Sequence, residues 1–236
     1  MQRYIIYAPH KCGSSILFRI LRDIFEYKLK EDIEHEIKTN KGFGKIILSR
    51  NYDLNTLDAQ NDKLICIPRN PISMAISAFY SLGYTHVQPP HISAKEWQKI
   101  RSNIQDMGFY NYIEKHFAKH YEKIADIFNF ECAKKTILPY ELMVSNFDIF
   151  LKDFLIAIDM QDSYLKTLEQ WKSSFDPIED QSERILSNDY KGHKRTTDIH
   201  EWKHKILKDQ LNQLTKDRPV FDQYIKFITQ VLSQDY

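Results

Sequence analysis

The sequence predicts an α/β protein in three layers, α/β/α, with helices on both faces of a central parallel sheet of four or five strands. Three observations carry that expectation. Short uninterrupted apolar runs at residues 4–8, 46–48, 64–67 and 136–138 have the length of buried strands and lie next to proline or turn residues. Longer stretches carry apolar residues at the 3.6-residue period of an amphipathic helix. The two kinds of segment alternate along the chain, the order that strand–helix–strand units need to build a parallel sheet.

The first strand, residues 4–8, is stopped by Pro9, and the turn His10-Lys11-Cys12-Gly13-Ser14-Ser15 leads into a helix. That helix has Ile16, Leu17, Ile20, Leu21, Ile24 and Phe25 on one face, with Ser14 or Ser15 as its N-cap. Gly42-Phe43-Gly44 reads as a turn before the second strand, Ile46-Ile47-Leu48. The third strand, 64–67, is stopped by Pro68, and a helix follows over 72–82. Residues 94–130 read as largely helical, with Trp97, Ile104, Ile113 and Phe117 among the core candidates. Thr136-Ile137-Leu138 is the fourth strand, and helical patterns return over 146–158, 163–175 and 202–233. The last of these has an apolar face (Val220, Phe221, Tyr224, Phe227, Ile228, Val231) that suits the domain's own core or a partner. No repeat, low-complexity tract or Gly/Ser linker interrupts the chain, so one domain over 1–236 is expected.

Composition narrows the function. The 236 residues carry 33 Lys+Arg against 32 Asp+Glu, a formal net charge of +1. A nucleic-acid-binding surface shows as a strongly basic domain, so no nucleic-acid partner is expected, while a local anion site stays compatible. No stretch approaches the ~18 uncharged apolar residues of a membrane span. The opening residues lack the basic-then-apolar design of a signal peptide, and a soluble cytoplasmic protein is expected. Cys12, Cys66 and Cys132 are far apart and lack ligand spacing, so neither a disulfide nor a metal site is expected. Oligomeric state leaves no signal.

Three segments carry chemistry. The first is the turn Pro9 to Ser15, between a strand and a helix: a helix N-terminus offers N–H groups and a positive dipole end, Gly13 permits close approach, and Lys11 adds a charge. An ordinary capped turn would read much the same, and the Walker A pattern GxxxxGK[ST] is absent. The second is Pro68-Arg69-Asn70-Pro71 after the third strand, with Ser77 eight residues beyond Arg69; a guanidinium fork and a hydroxyl suit one phosphate. This strand ends without an aspartate, which argues against magnesium-dependent phosphoryl transfer. The third is Lys191-Gly192-His193-Lys194-Arg195-Thr196, a basic run with a glycine inside it and Trp202 shortly after, suited to folding over an anion.

Together these segments resemble the sulfotransferases that use 3′-phosphoadenosine 5′-phosphosulfate (PAPS). Lys11-Cys12-Gly13-Ser14-Ser15 is similar to that family's 5′-phosphosulfate loop, commonly PKSGTT, with His10 interposed and Cys12 in place of serine. Arg69 and Ser77 have the spacing of its 3′-phosphate site. Arg195, seven residues before Trp202, is similar to its RKGxxGDWK element, although this chain reads RTTDIHEWK, which leaves Lys194 or Thr196 to supply the neighbouring contact. Tyr140-Glu141-Leu142 is similar to its YEDL, and the segment from His91 to Trp97 to its loop between helices. The five occur in the family's order, over residues 4 to about 210.

The resemblance implies a P-loop-like sulfotransferase fold and metal-free transfer of a sulfuryl group from PAPS, as co-substrate, to a hydroxyl or amine of a small-molecule acceptor. Lys11 would stabilise the leaving oxygen, and the backbone at Gly13 and Ser14 would hold the 5′-phosphate. The family's usual histidine base is missing: the segment reads Leu48-Ser49-Arg50-Asn51-Tyr52-Asp53. Asp53 is the nominated base, with His10 behind it and His86 also on a loop. Phe43, Tyr52, Phe79, Tyr80, Tyr84 and Phe109 are candidates for an acceptor pocket. Two other functions stay open, a nucleotide kinase or NTPase of related architecture and a non-catalytic nucleotide-binding module.

Overall fold

The computed structural model describes residues 1–26, 29–172 and 199–233. Five strands, β1 (Gln2–Tyr7), β2 (His35–Thr39), β3 (Gly42–Ser49), β4 (Lys63–Cys66) and β5 (Lys135–Ile137), form one sheet in the order β2-β3-β1-β4-β5. Its helices are α1 (Ser14–Phe25), α2 (Pro71–Tyr80), α3 (Ala94–Met107), α4 (Phe109–Asn129), α5 (Tyr140–Ser145), α6 (Phe147–Ala157), α7 (Tyr164–Trp171), α8 (Glu201–Lys205), α9 (Lys208–Thr215) and α10 (Pro219–Leu232). The protein is thus a mixed α/β fold, with a mostly parallel sheet flanked by helices. No helix among the described residues is long and apolar enough to cross a membrane.

The central strand β1 runs parallel to both neighbours, with Tyr7 opposite Ser49 of β3 on one side and Cys66 of β4 on the other. Strand β5 continues the parallel order on β4, with Ile137 opposite Cys66. The carboxyl ends of β1, β3, β4 and β5 therefore lie along one edge. Tyr4, Ile6, Ala8, Ile46, Leu48, Ile65 and Ile67 share a core with Leu17, Ile20 and Leu21 of α1 and Phe150, Leu151 and Phe154 of α6. The alternate positions Ile5, Tyr7, Ile47, Leu64 and Cys66 are buried as well, which is why these strands read as continuous apolar runs.

Several expectations need correction. The sheet is mostly parallel, as expected, but one strand had no sequence signal: β2, at the edge, pairs antiparallel with β3. Its sequence, His-Glu-Ile-Lys-Thr, is that of an edge strand, with Ile37 and Thr39 buried and their neighbours at least half-exposed, so no apolar run announces it. Gly42-Phe43-Gly44 is not a turn but the start of β3, and the hairpin turns at Asn40 and Lys41. Neither Ser14 nor Ser15 caps α1; the cap is Gly13, in the left-handed region at φ 82°. The long helical stretch over 94–130 breaks at Gly108 (φ 75°), and the stretch over 202–233 divides into α8, α9 and α10. The helix expected over 72–82 ends at Tyr80 and passes into a π-helical turn, Ser81–Thr85.

The described chain divides into two compact units. One holds residues 1–26, 29–69, 125–172 and 227–233; the other holds 70–124 and 199–226. The second unit has its own core, in which Ile72, Ile76 and Phe79 of α2 pack with Ile104 of α3, Ile113 and Phe117 of α4, Trp202 of α8 and Phe221 of α10. Helix α2 starts where the sequence favours it. Asn70 accepts hydrogen bonds from the N–H groups of Ile72 (2.9 Å) and Ser73 (3.1 Å), and Pro71 fills the first helical position.

In the first unit, the amino end of the sheet is tied by one buried carboxylate. Asp159 Oδ2 accepts from Tyr4 Oη (2.7 Å) and Lys63 Nζ (2.6 Å), and its Oδ1 is 2.8 Å from Lys41 Nζ. Gly44 makes room for this arrangement, because a Cβ there would lie 2.8 Å from Cε2 of Tyr4. Burial alone would raise the Asp159 pKa, but the bonds from Lys41, Lys63 and Tyr4 outweigh it and hold the carboxyl down at about 2. A carboxyl depressed in this way adds stability above its unfolded pKa of about 3.9, and that stability is lost as pH falls toward 2. Asp159→Asn keeps the shape and tolerates the left-handed φ of 55° at this residue. We expect it to lose roughly 2–3 kcal/mol near neutrality. In urea unfolding, the gap between the two proteins should close as pH falls from 4 to 2; a constant gap would show that the charge contributes nothing.

Candidate functional site

The turn that joins β1 to α1 lies at the carboxyl edge of the sheet, where open α/β sheets bind ligands. Ala8 N–H still bonds the sheet at Ser49 O (2.9 Å), and Cys12 N–H closes a tight turn on Pro9 O (3.0 Å). Two left-handed residues then flank the buried Cys12: Lys11 at φ 74° and Gly13 at φ 82°. A non-glycine residue in that region persists only where its surroundings hold it. Here Arg69 Nη1 donates to Lys11 O at 2.9 Å. Glycine is demanded at 13 twice over. Besides its φ, an added Cβ would lie 3.1 Å from Met143 Sδ and 3.2 Å from Cδ2 of Tyr140.

This geometry opens the start of α1. Ile16 and Leu17 N–H groups bond Gly13 O (2.9 and 3.1 Å), but no group among the described residues accepts from the N–H of Gly13, Ser14 or Ser15. Such N–H groups at the positive end of a helix dipole are the standard cradle for an oxyanion.

Three cations stand around that cradle. Lys11 lies in the turn itself. Burial, then the nearby charges of Arg69 and Arg50, bring its ammonium pKa down to about 8. Arg69 follows β4, and its guanidinium lies 4.2 Å from the ring centroid of Tyr140, whose N–H bonds Pro68 O (2.8 Å). Arg50 follows β3; its Nε donates to Ser14 Oγ (2.8 Å), and its Nη1 pairs with Glu31 (2.9 Å). Strand register brings the three together, because Tyr7 is flanked across the sheet by Ser49 on one side and Cys66 on the other. Arg50 is the residue the sequence reading missed. It carries no motif, and only the pairing of β3 with β1 brings it to the start of α1.

The structure thus brings Lys11, Cys12, Gly13, Ser14, Ser15, Arg69 and Tyr140 into one neighbourhood. His10 is exposed in the same turn. Asp53 is exposed beyond β3 and is engaged in capping the short helical turn Leu54–Thr56, accepting from Asn55 N and Nδ2 (both 3.0 Å). Ser77 is half-buried on α2 and belongs to the second unit, as does His86, whose ring lies 6.2 Å from that of Trp97. Lys194, Arg195, Thr196 and the rest of the basic run lie outside the described residues. Of the aromatic candidates, Phe79 contacts the rings of Tyr80, Tyr84 and Phe109 in the second unit, Phe43 is exposed on β3, and Tyr52 is in the first unit. Among the described residues no cluster of three or more His, Cys, Asp or Glu could hold a metal ion.

Gly13→Ala tests the cradle's geometry. Left-handed strain costs roughly 1–3 kcal/mol. The added methyl group must also displace Met143 or Tyr140. We expect lower stability in denaturant unfolding together with weaker anion binding. Unchanged stability would mean that the turn relaxes freely.

Comparison with known proteins gives little beyond the fold. No protein-family model matches the chain. No curated protein matches it either. Among solved structures, a mouse sulfotransferase, SULT7A1, complexed with PAP is similar with a TM-score of 0.49 and 14% identity, over 97% of this chain and 88% of that one.

Proposed function

We propose that the protein is a PAPS-dependent sulfotransferase acting on a hydroxyl or amine of a small-molecule acceptor. One observation supports this reading above the others: Lys11, Arg50 and Arg69 gather around the open N-terminus of α1, at the carboxyl edge of a parallel sheet. Lys11 and Arg69 also carry the motif resemblance. PAPS presents two tetrahedral oxyanion groups in tandem at its 5′ end, and three cations with a row of N–H groups match that ligand in sign and kind. The fit extends to Gly13, where any side chain would fill the space beside Met143 and Tyr140.

In this reading the acceptor atom bonds to sulfur while the bond from sulfur to the bridging phosphate oxygen breaks. The electron pair stays on that oxygen, and PAP departs. Lys11 and the α1 N-terminus stabilise the developing charge, which a fixed, partly desolvated array does well without a metal. Arg69 is assigned to the nucleotide's 3′-phosphate, and Tyr140, stacked on it, fixes the guanidinium's plane. Ser77, Lys194, Arg195 and Thr196 enter the proposal on their motifs alone. The acceptor's proton passes to His10 or Asp53; His10 has the better position, one residue from Lys11, since Asp53 already serves as a cap.

The test is binding of PAP, followed by thermal unfolding. At 100 times its dissociation constant a ligand adds about 2.7 kcal/mol. At roughly 2–4 °C per kcal/mol for a chain of this size, Tm should rise by about 5–11 °C. Lys11→Met should abolish most of the shift. A shift with ATP–magnesium and none with PAP would overturn the reading in favour of a kinase or NTPase. Binding without sulfuryl transfer to any member of a broad acceptor panel would favour the non-catalytic module.

Binding should also depend on pH in a stated direction. The Lys11 ammonium loses its proton near pH 8, and the neutral amine no longer attracts an anion. PAP affinity should therefore hold steady below about pH 7 and fall between pH 7.5 and 9.5, by up to about tenfold per unit. Lys11→Arg, which keeps its charge throughout, should flatten the profile. A flat profile in the unaltered protein would remove Lys11 from the site.

A further inference from the structure

Arg50 bridges several elements near the start of α1. Its Nε donates to Ser14 Oγ (2.8 Å), its Nη1 pairs with a Glu31 carboxylate oxygen (2.9 Å), and its guanidinium lies 5.7 Å from the ring centroid of Phe18 on α1. Arg50 and Glu31 keep about 29% of their side-chain surface exposed, while Ser14 is almost fully buried at the first position of α1. The direction of the bond to Ser14 matters. A guanidinium can only donate, so the serine oxygen is the acceptor and its own hydrogen must point elsewhere. The Ser14 backbone N–H belongs to the open row at the start of α1. A hydroxyl whose oxygen is pinned from behind is thereby turned into a donor beside that row.

We propose that Glu31, Arg50 and Ser14 form a positioning relay for the anion site. Glu31 sets the plane of the Arg50 guanidinium, and Arg50 holds the Ser14 oxygen so that its hydrogen is presented to a tetrahedral oxyanion at the N-terminus of α1. The ligand class is a phosphate- or sulfate-type group. Arg50 is a positioning residue in this scheme, acting through Ser14, and Glu31 acts through Arg50. The relay rests on the anion-site reading above, but it does not depend on the nucleotide being PAP. Geometry separates it from simple charge balance: only a planar fork can donate to a carboxylate and a hydroxyl from fixed adjacent nitrogens, and lysine cannot imitate it.

Glu31 gives the decisive experiment, because the two explanations predict opposite signs. If Glu31 acted only as a nearby negative charge, Glu31→Gln would tighten anion binding. The relay requires it to weaken binding, by about three- to tenfold. The full chain is titrated calorimetrically with inorganic pyrophosphate and, separately, with PAP, at fixed ionic strength and with Tm measured for every variant. Arg50→Lys and Ser14→Ala should each weaken binding by about tenfold. The double variant should be no weaker than either single one, since the two residues act as one unit. Ser14→Thr, which keeps the hydroxyl, should restore binding where Arg50 is present and fail to restore it in Arg50→Gln. Tighter binding in Glu31→Gln, unaltered affinity in Arg50→Lys, or additive losses in the double variant would each overturn the relay. If pyrophosphate binds and PAP does not, the nucleotide reading falls and the pyrophosphate cycle still decides the relay. If neither binds the unaltered protein, both fall.

Discussion

The bond from Arg69 to the carbonyl of Lys11 is the contact on which the site depends. It spans the two strands that matter most, joining the residue after β4 to the turn after β1. Lys11 has a side chain in a backbone region that disfavours one, and a turn containing two left-handed residues has every reason to relax. The guanidinium prevents this from one side, while Met143 and Tyr140 press on Gly13 from the other. A turn held in that way cannot cap its own helix. The N–H groups of Gly13 to Ser15 are left without an acceptor among the described residues, and the strain in the turn becomes the preorganisation of the cradle.

The two ends of the sheet balance charge by opposite means. At the amino end, the buried Asp159 carboxylate gathers Tyr4, Lys41 and Lys63, and the buried Asp62 pairs with Arg3, so these negative groups are met by donors. At the carboxyl end three cations gather, and Glu31 pairs with Arg50. The first arrangement is a structural clamp whose stability depends on being complete. The second gathers like charges, which costs stability unless counter-charge is near, and that is what the proposed anion would supply. A chain of net charge +1 can thus contain a strongly electropositive locus, because its charge is segregated by position.

The parts of this arrangement differed in how clearly the sequence declared them. Strands β1, β3 and β4 were legible because burial on both faces leaves a continuous apolar run, whereas β2 has two buried residues among polar ones and looks like a surface loop. The cradle was legible from Gly13 and its neighbours, yet its cap was misassigned. Serine is the better cap in general, but a glycine that is already left-handed takes the position first. Asn70 is the converse case: its side chain caps α2, and the proline turn around it drew attention to Arg69 instead. Arg50 was hidden for a different reason. Nothing local marks an arginine after a strand, and its partners lie 19 and 36 positions away in sequence, at Glu31 and Ser14. Only the pairing of β1 with β3 brings it to the helix start.

The three cations of the site are maintained in different ways, and this determines how the site responds to its surroundings. Arg69 is held by a backbone carbonyl and an aromatic face. Arg50 is held by the Glu31 carboxylate and the Ser14 hydroxyl. Lys11 alone has a proton that can leave in the physiological range, and the other two cations are part of the reason. Crowding of positive charge, which strengthens the attraction for an anion, also weakens the hold of one member on its proton. An arriving anion reverses the effect, because negative charge beside Lys11 restores the ammonium. On the anion-site reading, the ligand and the third cation therefore support each other most above pH 8, where the empty site has lost the Lys11 proton.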